Sequence, residues 1–239
     1  MRITCESPGF CIQRIILITN GGELMHIGAE RVLNDLIERY PKLEAVKAEI
    51  AAAYEALKTC YDNGGKLMVA GNGGSYADAE HIAGELMKGF YKKRPLADDI
   101  QRRLREVDPE MGDTLAVNLE TALTTVVLAG NQGINTAFSN DVDAKYIFAQ
   151  QLMGYVKPHD VFLAISTSGN SKNILYAAIA AKAAGIPVIG LTGKNGGRLK
   201  DLSDIAIIVP ANEAHTVQEL HLPVYHALCL MLEDTYFDR

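Results

Sequence analysis

The sequence has no tryptophan, and its four cysteines, Cys5, Cys11, Cys60 and Cys229, make no C-x-x-C pair and no metal-finger spacing. A disulfide scaffold and a structural zinc module are therefore unsupported, and a reduced, cytoplasmic setting is expected. No apolar run approaches membrane-spanning length. The strongest near the N-terminus, Ile15-Ile16-Leu17-Ile18, is too short for a signal-peptide core and follows Gln13-Arg14. Positive charge is scarce too: 23 Lys and Arg against 29 Asp and Glu give a net charge of −6 and a pI near 5.5. That balance argues against nucleic acid or an anionic membrane surface as a partner and leaves small ligands. The phosphate loop G-x-x-x-x-G-K-[ST] is missing, and the glycine turn after the first strand is not G-x-G-x-x-G, so neither a nucleotide nor a redox cofactor is expected.

What is present is an α/β pattern. Of the 239 residues 48% are apolar, enough for one sizeable domain. Residues 1–24 continue no helical or strand period and are expected to be a disordered extension. Residues 25–239 are expected to form a single domain. Two amphipathic helices, about His26–Arg39 and Leu43–Asn63, precede the first strand, and part of their apolar surface is expected to meet another subunit. Lys66–Ala70, Asp160–Ile165, Pro187–Leu191 and Ile205–Val209 read as fully apolar strands, each but the last followed by a turn and a helix. A strand at Leu115–Asn118, a helix at Ala122–Ala129 and a loop over Gly130–Asn140 complete the reading. The expected fold is a doubly wound, parallel, five-stranded sheet in a flavodoxin-like three-layer sandwich with additional N-terminal helices.

Ligands of such sheets bind beyond the carboxyl ends of the strands. Two of those ends carry small polar turns. Gly71-Asn72-Gly73-Gly74-Ser75 opens a helix that Ser75 is expected to cap, and Ser166-Thr167-Ser168-Gly169-Asn170-Ser171 offers four hydroxyls and free backbone N–H groups at another helix start, a natural seat for a phosphate dianion. A bare helix cap would need one or two of those hydroxyls. His81 and Glu85 stand four apart, on one face of the helix just past the first turn; the plain alternative is a surface ion pair. A last helix, about Thr216–Tyr236, carries Gln218, Glu219, His221 and His226 in an apolar sequence interrupted by Pro223. A lone histidine there reads first as a core residue.

Taken together, the glycine turn, His81 with Glu85, the Ser166–Ser171 turn, Leu191-Thr192-Gly193-Lys194 and Gln218-Glu219 with His226 resemble the sugar isomerase (SIS) domain family, and within it the phosphoheptose isomerases, over about Met25–Asp238. The resemblance implies aldose–ketose isomerisation of a phosphorylated sugar through an enediolate, with Glu85 as catalytic base and His226 as its acid/base partner. It implies a substrate site of Asn72, Gly73, Gly74, Ser75, Ser166, Thr167, Ser168, Ser171 and Gln218. Asn140 and Asp141 best match the family's substrate-binding Asn-Asp pair; Asn131-Gln132 is the second choice. It also implies one Zn²⁺ per subunit on His81, Glu85, Gln218 and His226, and a homotetramer whose active sites are completed across subunits. The segments Lys92–Asp113 and Gly130–Ser139 are longer than the family's usual ones. A non-catalytic relative that senses a sugar phosphate, or docks a partner such as a DnaA-type initiator, is the rival; such relatives tend to lack the carboxylate and histidine present here.

Overall fold

The computed structural model describes residues 25–237, so the expected N-terminal extension lies outside the described residues. In chain order the elements are α1 (Ile27–Arg39), α2 (Lys47–Asp62), β1 (Leu67–Ala70), α3 (Gly74–Met87), α4 (Asp98–Val107), α5 (Met111–Asn118), β2 (Thr125–Val127), α6 (Gln132–Phe138), α7 (Ile147–Tyr155), β3 (Val161–Ser166), α8 (Lys172–Ala183), β4 (Val188–Thr192), α9 (Gly197–Leu202), β5 (Ile205–Ile208) and α10 (Ala214–Phe237). Short 3₁₀ turns at Pro41–Val46 and Ala144–Tyr146 and a π turn at Ser139–Asp143 join some of them.

The strands form one parallel sheet in the order β2-β1-β3-β4-β5. Every residue of β1, β3 and β4 is buried, as a strand covered on both faces requires. Successive side chains alternate between two cores. Leu67, Val69, Leu163, Ile165 and Leu191 pack under α1, α2, α3 and α10, whereas Met68, Ala70, Phe162, Ala164 and Val188 pack under α7, α8 and α9. The apolar stripes of α1 (Ala29, Leu33, Leu36) and α2 (Ile50, Ala53, Tyr54, Leu57) are buried within the same chain, so these helices do not hold those stripes in reserve for a second subunit.

Three elements differ from the sequence reading. Leu115–Asn118 belongs to helix α5, which pairs with α4 as a hairpin outside the sheet. Ala122–Ala129 is not helical: its Thr125-Val126-Val127 supplies the edge strand β2. Gly130–Asn140 is not a plain loop, because Asn131 Oδ1 accepts the Ile134 N–H and starts α6.

Candidate active site

With strand order 2-1-3-4-5 the chain switches direction between β1 and β3, and the crevice at their carboxyl ends is the expected ligand position. The turns after both strands meet there. Asn72 and Asn173 lock them together by two reciprocal amide bonds, Asn72 Nδ2 to Asn173 Oδ1 at 3.0 Å and Asn173 Nδ2 to Asn72 Oδ1 at 2.8 Å. Asn173, in the first turn of α8, carries no motif signal beyond its place after Ser171.

The glycine turn is shaped for close approach. Gly73 has φ +55°, where a side chain would be strained, and it is the N-cap of α3. A Cβ on Gly74 would collide with the side-chain amide of Gln218, so Gln218 lies against the start of α3. Ser75 does not cap the helix, contrary to expectation. It is buried inside the first turn, and its N–H bonds the Asn72 carbonyl at 3.0 Å.

The serine turn is braced from within. Ser166 is the buried last residue of β3, and its hydroxyl donates to Ser171 Oγ at 3.2 Å. Ser168 Oγ accepts the Asn170 N–H at 3.2 Å, while Gly169 N–H bonds the Ser166 carbonyl. The backbone of Arg198 and Leu199, in α9, clasps the same turn through Asn170 and Gly169. Ser171 is the N-cap of α8 but makes no side-chain capping bond, which leaves its hydroxyl oxygen to Ser166 and a ligand. Hydroxyls and N–H groups gathered at a helix start suit phosphate.

A second polar centre lies farther along α3. His81 Nε2 is 3.1 Å from Glu85 Oε1, and the His81 and His226 rings meet edge to face at 4.9 Å. The Glu85 side chain is 14% exposed; its buried Oε2 makes no hydrogen bond and has only the exposed Lys88 ammonium, at 3.5 Å. His226 Nε2 is also buried without a partner. Burial, reinforced by the neighbouring His81 and partly offset by Glu85, lowers the His226 pKa and favours its neutral ring. A carboxylate oxygen and an imidazole nitrogen, both without a hydrogen bond and both next to His81, can take and return protons.

Two groups that sequence reasoning missed complete this centre, Asp78 and Tyr225. The Tyr225 hydroxyl lies 2.9 Å from His81 Nδ1 and 3.4 Å from Asp78 Oδ1. Asp78 was legible only as a residue three before His81 on the same helix face. His221, by contrast, is a core residue as the plain reading holds. It is wholly buried against the Thr192 backbone, neither ring nitrogen makes a good hydrogen bond, and burial pushes its pKa down to about 4.

The two centres are not adjacent within one chain. Eleven residues separate Gly74 from Glu85, about 16 Å of helix. The far end of α3 sits at the amino edge of the sheet, where the Leu86 carbonyl accepts the Leu123 N–H just before β2 begins. His81 and Glu85 therefore do not lie just past the glycine turn. Of the four side chains assigned to a metal, His81, Glu85 and His226 meet, while Gln218 rests on Gly74, eight residues before His226 and about 12 Å from it along α10. Among the described residues no three His, Cys, Asp or Glu side chains are grouped to hold a metal ion. Asn140 and Asp141 are exposed in the π turn and bond each other at 2.9 Å. The neighbouring Tyr146–Tyr176 contact, 5.0 Å between ring centres, puts that segment beside α8. Asn131, the second choice, caps α6 past the end of β2. A cavity of about 690 Å³ beside Leu96, Gln101, Thr121 and Phe237 is lined by none of the expected site residues.

The SIS domain family model matches residues 31–107 and 103–193. The phosphoheptose isomerase of Nitratiruptor sp. is 35% identical over 87% of this chain and 99% of its own length, and that of Trichlorobacter lovleyi is 36% identical over 86% and 92%. Among solved structures, the phosphoheptose isomerase GmhA of Neisseria gonorrhoeae superposes with a TM-score of 0.64 at 29% identity, covering 84% of this chain and 95% of that one. A phosphoheptose isomerase from Francisella tularensis gives 0.65 at 29%, covering 86% and 96%. With the family model matched over most of the chain and relatives 35% and 36% identical over nearly all of their own length, the chain belongs to the SIS domain family, in its phosphoheptose isomerase branch.

Proposed function

We propose that this protein is a phosphosugar isomerase that interconverts sedoheptulose 7-phosphate and D-glycero-D-manno-heptose 7-phosphate through an enediolate. The observation that carries the reading is a pair of buried proton-transfer atoms that make no hydrogen bond, Glu85 Oε2 and His226 Nε2. Glu85 removes the proton from the carbon beside the carbonyl and returns it to the neighbouring carbon; neutral His226 moves the proton between the two sugar oxygens. The serine turn, with Asn72 to Ser75 beside it, holds the phosphate end by hydroxyl and N–H donors. A sensor that only bound the sugar phosphate would need the turns but not this carboxylate and imidazole.

The wide separation of the two centres supports an oligomer, since about 16 Å of helix is more than one phosphorylated heptose spans. We assign the phosphate turn of one copy and the Glu85 centre of another to the same substrate, in a homotetramer. His81, Glu85 and His226 are the side chains of this centre that would hold a zinc ion, and the proposed proton transfers use side chains alone. The setting is cytoplasmic, in keeping with the free thiols of buried Cys60 and Cys229; no helix among the described residues is long and apolar enough to cross a membrane.

The test is the purified protein with a panel of ketose 7-, 6- and 5-phosphates, followed by NMR for exchange of the C1 and C2 protons with solvent. Exchange and aldose formation with the 7-phosphate are expected. Tight binding without exchange on any member would return the sensor reading.

A further inference from the structure

Helix α3 lies on one face of the sheet and α8 on the other, so their starts come near each other only at the carboxyl ends of the adjacent strands β1 and β3. The first N–H groups of both helices have no intrahelical partner, and a shared phosphate seat needs both sets aimed at one anion. The serine turn is tied to the turn after β4 by backbone, through the Gly193 N–H to the Thr167 carbonyl and the Leu199 N–H to the Gly169 carbonyl. To the glycine turn it is tied by side chains. Among the described residues, the two Asn72–Asn173 bonds are the hydrogen bonds that join these turns. A third contact fixes how both amides face: the Ile174 N–H, 3.0 Å from Asn173, can only donate, so the atom it meets is Oδ1. Asn72 therefore presents its nitrogen to that oxygen and its own oxygen to Asn173 Nδ2, and each polar atom of its side chain is engaged with α8.

We propose that Asn173 is a positioning residue for phosphate binding, and that the Asn72 side chain serves the site through Asn173 rather than by touching the substrate. The amide clasp holds the start of α3 at a fixed distance from the start of α8. N–H donors on the two sides of the crevice then meet one dianion without first having to be ordered. The inference rests on the phosphosugar reading of the two turns, and it replaces the substrate contact that the family resemblance implies for the Asn72 side chain.

The test is a double-mutant cycle on the full-length protein, with inorganic phosphate as the probe and calorimetry as the readout. Asn173→Ala and Asn72→Ala should each weaken phosphate binding on the order of tenfold, the scale of two hydrogen bonds between neutral groups. The double variant should bind no more weakly than either single one, because the two side chains act as a unit. Melting temperatures should stay close to the parent's, which separates positioning from plain stabilisation. With sedoheptulose 7-phosphate, Asn173→Ala should raise KM by the same factor and leave kcat as it is, since Glu85 and His226 lie elsewhere. A loss in Asn72→Ala with none in Asn173→Ala would overturn the proposal and make Asn72 a direct contact. Losses that add in the double variant would overturn it too, as would lower melting temperatures with phosphate affinity intact. A parent protein that binds phosphate while no variant loses affinity overturns the clasp alone; a parent that binds no phosphate overturns the seat itself, and the clasp with it.

Discussion

Helices α3 and α10 bury two polar clusters between them, and the clusters are satisfied to opposite degrees. At one, Arg94 and Glu233 are both 0% exposed and paired at 2.8 Å. Every neighbouring demand is met: Arg94 donates to the Leu86 and Glu85 carbonyls at 2.9 and 3.0 Å, and the Glu233 carboxylate accepts the N–H groups of Phe90, Tyr91 and Lys92. At the other, close by, Glu85 Oε2, His226 Nε2 and Asp78 Oδ2 make no hydrogen bond. The first cluster ties the end of α3 to α10 and the segment after it. The second leaves polar atoms without hydrogen bonds where a substrate can use them, and the backbone carbonyl of Glu85 is itself clamped by Arg94, so the rigid cluster places the reactive one.

If that contrast is right, the two clusters break differently. Arg94→Ala strands a buried Glu233 carboxylate and frees two carbonyls, so stability should fall by about 3 to 5 kcal/mol in denaturant unfolding. A single variant as stable as the parent would show the pair is not what holds α3.

His221 sharpens the contrast from the core side, because its unsatisfied ring has no chemistry to do. Its pKa is about 4 when folded and near 6.5 when unfolded, so between those values the unfolded chain binds the extra proton. Its contribution to stability is therefore complete above pH 6.5 and is lost as pH falls toward 4, a loss of roughly 3 kcal/mol. His221→Leu should flatten that part of the curve of melting temperature against pH. Asp78 acts with the opposite sign, its carboxyl raised to about 6 by burial and favouring the fold below that pH, so the difference between variant and parent is the quantity to measure. Equal slopes in both proteins would contradict the assignment.

The serine turn should give the smallest change. Ser168→Ala removes a hydroxyl that faces the phosphate seat and braces Asn170, an interaction of about 1.5 to 3 kcal/mol with a charged acceptor, so affinity for the sugar phosphate should fall roughly ten- to a hundredfold. Inorganic phosphate should compete with the substrate. An unchanged affinity and no competition would leave the turn as a helix cap only.

The sheet was legible because β1, β3 and β4 are buried on both faces and therefore appear as unbroken apolar runs bounded by turn residues. The region from Lys92 to Asn140 was not. Leu115-Ala116-Val117 is too short to tell strand from helix by periodicity, and α4 and α5 bury little besides Gly112 and Ala116, so no core pattern marks them. Strand β2 is three residues long at the sheet edge, and its β-branched Thr125-Val126-Val127 was the available signal. In the site, the His81–Glu85 pairing follows from spacing on one helix. Its distance from the glycine turn also follows from helix rise. The Tyr225 bond to His81 and Asp78 does not: it depends on α10 lying along α3 in one register, with Gln218 at Gly74 and Tyr225 at His81, seven residues on in each helix.

The most direct test of the central claim is Glu85→Gln, which keeps the volume and a hydrogen-bonding head but cannot act as a base. Turnover of sedoheptulose 7-phosphate, read as C1 and C2 proton exchange, should fall by about 10²- to 10⁴-fold, the range of lost general base catalysis. The melting temperature and the affinity for the sugar phosphate should stay close to the parent's, since the phosphate turn and the Arg94–Glu233 pair are untouched. A variant that exchanges those protons as fast as the parent would contradict the assignment of Glu85 as the base.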